Sequence, residues 1–108
     1  MPQPVVHFEV TARDAAAQRE FFTNVFEWDM NYFEPANYTL IDTGGGDVGI
    51  NGGLMQSEEG KSFVTIYIQV DDLQEYLYKA ESHGAKTIMP PQEIPGGENG
   101  SIALFSDP

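Results

Sequence analysis

The chain of 108 residues carries 5 basic and 17 acidic side chains, a formal net charge of −12, with 41% hydrophobic residues and no cysteine. This length and composition predict one globular domain, and the charge repels a phosphate backbone, so nucleic acid is excluded as an expected partner. Without cysteine there is no disulfide framework or thiolate site; the apolar runs fall short of the roughly 20 residues of a membrane helix, and Met1-Pro2-Gln3-Pro4 lacks a secretory signal's basic and apolar regions, so the expected setting is cytoplasmic, without membrane contact.

Taken in chain order, Val5 to Val10 alternates, placing Val6, Phe8 and Val10 on one strand face and His7 and Glu9 on the other. A helix is predicted from Ala15 to Phe26, with Asp14 as N-cap and Ala17, Phe21, Phe22 and Val25 at helical spacing. Its apolar side is expected to lie on Val6, Phe8 and Val10. Trp28 to Phe33, Tyr38 to Thr43 and Val48 to Leu54 are β-prone runs separated by Glu34-Pro35-Ala36-Asn37 and Gly44-Gly45-Gly46-Asp47, the pattern of an antiparallel meander. The glycine run is not a phosphate cradle, which needs a helix N-terminus after it; here a strand follows. Gln56 to Lys61 reads as a polar linker.

The pattern then restarts. Val64, Ile66, Ile68 and Asp72 each lie 58 residues after Val6, Phe8, Val10 and Asp14, and the second strand's other face carries Thr65, Tyr67 and Gln69. Asp72 and Glu75 form a capping pattern, Leu73, Tyr76, Leu77 and Ala80 a helical stripe, and Gly84 suits a left-handed stop, with His83 complementing the helix dipole. Lys86 to Met89 and Ser101 to Phe105 are strand-like, separated by a Pro- and Gly-rich stretch whose Pro90-Pro91 and Pro95-Gly96-Gly97 would form a loop over a cleft. The first half thus has three strands after its helix and the second has two.

His7 opening the first strand, Asp14, the helical stretch Phe21-Phe22-Thr23-Asn24-Val25-Phe26-Glu27-Trp28, Val70-Asp71-Asp72-Leu73, Gly84-Ala85 and the closing Phe105-Ser106-Asp107-Pro108 occur in an order that resembles the vicinal oxygen chelate superfamily of glyoxalases, bleomycin-resistance proteins and extradiol dioxygenases. The resemblance implies an α+β fold of two tandem βαβββ units, about 1–56 and 62–108, forming curved mixed sheets around a cleft within one domain, with the last strand of the second unit absent from the chain. It also implies a homodimer that completes or enlarges the cleft. Metal-dependent members hold a divalent ion with one residue from the first and last strand of each unit. His7 stands at the first of those positions, but its counterpart is Thr65, a poor ligand; Val48 to Met55 contains no histidine or carboxylate, and the fourth position would fall beyond residue 108. No metal or other cofactor is expected.

The candidate ligand-binding residues are His7, Glu9, Thr65, Tyr67 and Gln69; no catalytic residue is assigned. A histidine near a carboxylate serves as a general base, although such a pair on a strand surface more often only makes hydrogen bonds. An ionised Glu9 would favour the protonated imidazole. Trp28, Tyr32, Phe33 and Tyr38, like Met30, Met55 and Met89, read as core or dimer contacts. Three functions follow. The preferred one is a metal-independent small-molecule-binding protein of the glyoxalase and bleomycin-resistance type, whose acidity suits a cationic ligand; the others are a divalent-metal-dependent lyase, isomerase or dioxygenase using His7, and a non-catalytic assembly protein.

Overall fold

The structure, a computed structural model, describes residues 2–34, 37–94 and 100–108. Pro35-Ala36 and the segment Pro95-Gly96-Gly97 lie outside the described residues. The element order is β1 (Val5–Ala12), α1 (Ala15–Phe26), β2 (Asp29–Phe33), β3 (Tyr38–Asp42), β4 (Gly52–Gln56), β5 (Phe63–Ile68), α2 (Leu73–Glu81), β6 (Lys86–Glu93) and β7 (Ser101–Ser106). Packing divides it into two units, Met1–Gln69 and Val70–Pro108. The architecture is mixed α+β, with a five-stranded mixed sheet in one unit and a two-stranded sheet in the other. Among the described residues no helix is long and apolar enough to cross a membrane.

In the first unit the strand order is β2-β3-β4-β1-β5, with β1 parallel to β4 and the other neighbours antiparallel. The Asp14 carboxylate accepts the Ala17 N–H at 3.1 Å and so starts α1 where the sequence predicts. Glu27 ends it in the left-handed region at φ 60°, its N–H donating to the Thr23 carbonyl. Helix α1 covers a core of Val10, Ala12, Ala15, Ile41 and Leu54, against which Phe8, Trp28 and Met30 pack. Burial of the larger members, Val10, Ile41 and Leu54, contributes about 1.5–3 kcal/mol each. Trp28 is part of this packing, its ring lying 4.9 Å from that of Phe22 at an interplanar angle of 9°.

Two departures from the sequence reading have visible causes. Strand β4 begins at Gly52, later than the predicted Val48, because Thr43 and Asn51 knit the preceding loop. The Thr43 hydroxyl donates to the Ile50 carbonyl at 2.9 Å, its N–H donates to Asn51 Oδ1 at 3.0 Å, and Val48, 96% exposed, is turned out of the ladder. Strand β5, the restart of the repeat, is hydrogen-bonded to β1 in the first unit, pairing His7 with Tyr67 and Glu9 with Thr65. Helix α1 packs on β1, β2 and β4, so the apolar residues of β5 lie beyond its reach. Val64, Ile66 and Ile68 are 65%, 58% and 44% exposed instead of lying under a helix, and Val6 is also exposed.

In the second unit the Asp72 carboxylate accepts the Glu75 N–H at 3.1 Å and starts α2, which buries Leu77 and packs on the antiparallel pair β6 and β7. Gly84, at φ +101°, supplies the left-handed turn after the helix. The Nδ1 of His83 lies 2.9 Å from the Lys79 carbonyl at the end of α2. Strand β6 continues past Met89 through Pro90-Pro91 to Glu93; its register against β7 shifts between Thr87 and Met89 and again between Met89 and Gln92, the second shift spanning the two prolines, which withhold ladder donors.

Gly52 faces Phe8 across the parallel pair, and a Cβ there would run into the Phe8 carbonyl and ring. Gly52→Ala is therefore expected to lower the urea midpoint by the equivalent of about 1–3 kcal/mol, and Asp14→Ala to remove about 1 kcal/mol by losing the helix cap.

Candidate functional site

Phe8, Val10 and Ala12 face the core, so the alternation of β1 turns His7, Glu9 and Thr11 to the face away from α1. The antiparallel register brings Tyr67 and Thr65 onto that same face from β5. The His7 and Tyr67 rings meet edge to face with centroids 5.6 Å apart, and the Tyr67 hydroxyl lies 3.4 Å from Glu9 Oε1.

Tyr38 completes the cluster. It comes from β3, one strand beyond β4, and its hydroxyl lies 2.9 Å from His7 Nε2, the two rings 6.4 Å apart at 21°. The phenol crosses β4 directly over Gly53, where any Cβ would overlap it. Residue 53 must lack a side chain for Tyr38 to reach β1 at all. The sequence reading placed Tyr38 in the core or at a dimer contact; the missed signal was the Gly52-Gly53 pair in the following strand, which opens a slot on each face.

His7, Glu9, Tyr38, Thr65 and Tyr67 are all half-buried. Desolvation holds the His7 imidazole below its ordinary 6.5, and the weaker, opposing pull of Glu9 does not restore it. The expected protonated imidazole is thus corrected to a neutral one at pH 7: the loss of water outweighs a single carboxylate. Desolvation first, and then Glu9, pushes the Tyr67 phenol up to about 12. The same causes, with Tyr67 adding to them, raise Tyr38 well above its ordinary value. Both phenols therefore keep their protons at neutral pH and stand as donors around an acceptor-only carboxylate, next to an uncharged imidazole.

Of the five residues picked from sequence, Tyr67 touches both His7 and Glu9, and Thr65 sits opposite Glu9 in the register. Gln69 lies past the end of β5, exposed, its backbone N–H donating to the Pro4 carbonyl at 2.9 Å. His7 and Glu9 would be the donors to a metal ion, but among the described residues no group of three or more His, Cys, Asp or Glu could hold one. This donor set does not fit a divalent cation.

Gly53→Ala should displace the Tyr38 phenol and break its contact with His7, read by NMR as a changed His7 ring titration while α1 keeps its amide shifts. Because the folded His7 value lies below the unfolded 6.5, the unfolded chain takes up the proton first as pH falls. The stability given by the neutral ring is complete above 6.5 and is lost as pH drops from there through the folded value. Wild type should therefore lose more unfolding free energy between pH 7.5 and 5 than His7→Gln, as measured by urea denaturation at both pH values.

No curated protein matches the sequence. Among solved structures, that of TioX from Micromonospora sp. ML1 is similar, with 16% identity over 97% of this chain and 99% of that chain and a TM-score of 0.40. A sequence profile matches residues 5–108, nearly the whole chain. The profile is that of the Glyoxalase/Bleomycin resistance protein/Dioxygenase superfamily, and the chain belongs to that family.

Proposed function

We propose that the protein binds a small cationic molecule, without a metal ion, on the face formed by His7, Glu9, Tyr38 and Tyr67. The observation that carries this reading is the setting of Glu9: a carboxylate beside two protonated phenols and an uncharged imidazole, with no lysine or arginine paired to it among the described residues. A cation placed there meets one full negative charge and the electron-rich faces of aromatic rings, which together favour ammonium or guanidinium groups over neutral isosteres. The net charge of −12 attracts the same ligands from a distance. The phenol hydroxyls and the imidazole give such a ligand hydrogen-bond partners that fix its orientation.

Binding of quaternary ammonium compounds and cationic glycopeptides, each paired with a neutral isostere, tests the proposal by thermal shift. A ligand at about 100 times its Kd should stabilise the fold by about 2.7 kcal/mol. Glu9→Gln is expected to weaken cation binding about tenfold or more, and Gln69→Ala to leave it unchanged. Equal affinity for the neutral isosteres would remove the proposal. A stoichiometric divalent ion that is lost in His7→Ala would replace it with metal-dependent chemistry.

A further inference from the structure

On the other side of the same sheet, between α1 and the strands β2 and β3, run two adjoining concavities of about 280 and 470 Å³ that share Ala16, Arg19 and Tyr32 in their walls. Three features of this groove point to a ligand. Arg19 is half-buried at the junction of the two hollows, yet among the described residues its guanidinium makes no ion pair or hydrogen bond, in a chain with 17 acidic side chains. Thr39, 1% exposed, lines the smaller hollow, and its hydroxyl is buried with no hydrogen-bond partner. Met30, Ala16 and the Tyr32 ring supply apolar wall, and the Tyr32 hydroxyl is already committed to Asn37 Oδ1 at 2.6 Å.

A buried hydroxyl without a partner is a cost that folded proteins rarely carry unless something else satisfies it. A planar guanidinium with five free donors is matched by a carboxylate or a phosphate. Charge decides between them: Glu20 and Asp14 line the same hollows, and the chain is strongly anionic, so a dianion is repelled more than a monoanion. We infer that this groove is a second binding site, for a small organic monocarboxylate held by the Arg19 guanidinium and the Thr39 hydroxyl, with its apolar body against Met30 and Tyr32. This inference is independent of the cation face, which lies across the sheet.

Titration with benzoate, followed by NMR of backbone amides and of the Arg19 side-chain Nε–H, tests it. The expected result is saturable shifts at Ala16, Arg19 and Thr39, with no change at His7 or Tyr67, and binding about tenfold weaker in Arg19→Gln. Thr39→Val is the second variant: it deletes an unpartnered hydroxyl at constant shape, so it should melt no lower than wild type while still losing benzoate affinity. Shifts that do not saturate, shifts centred on His7, inorganic phosphate binding more tightly than benzoate, or variants that bind benzoate like wild type would each overturn the assignment.

Discussion

Two neighbouring glycines in β4 hold the first unit together from opposite sides. Gly52 yields its place on the helix side to Phe8, which lets β1 lie against β4 in parallel and seats the Phe8 ring beside Trp28. Gly53 yields its place on the other side to Tyr38, which spans a whole strand to reach His7. The core and the polar cluster therefore depend on the same dipeptide, and both rest on the strand rule that consecutive residues face opposite ways. Glycine is costly within a strand, and here the backbone accepts that cost in exchange for close approach on both faces.

The electrostatics of the cluster follow from its crowding. A histidine and two tyrosines are packed around Glu9 closely enough to lose water, and that loss favours the neutral imidazole and the neutral phenols. Imidazole and phenols accordingly stay uncharged at pH 7, and among the described residues no lysine or arginine pairs with the Glu9 carboxylate. The two concavities of this unit lie on the other side of the sheet, that of α1.

Much of this could be read from the amino-acid order. The helix of Ala15–Phe26 and both aspartate caps come directly from residue type and spacing, because capping is a local interaction. The facing of His7, Glu9 and Tyr67 follows from alternation. What the sequence concealed is non-local. Neither the repeat nor the periodicity states that β5 pairs with β1, since both edges of a strand offer the same donors and acceptors. The role of Tyr38 was hidden for a similar reason: it depends on an empty position 15 residues later. The uncharged state of His7 depends on how much water its neighbours displace, a quantity that pairwise spacing does not carry.

The double proline in β6 bears on how the second unit behaves among copies of itself. Successive backbone N–H groups point to opposite edges of a strand, so Pro90 and Pro91 strip one donor from each edge. An incoming strand that tried to extend the β6 ladder would find a gap opposite its own carbonyl, at the same level where β7 already slips. A short two-stranded ribbon rich in apolar side chains is an obvious seed for fibrillar stacking, and this dipeptide acts as a built-in chain terminator for it.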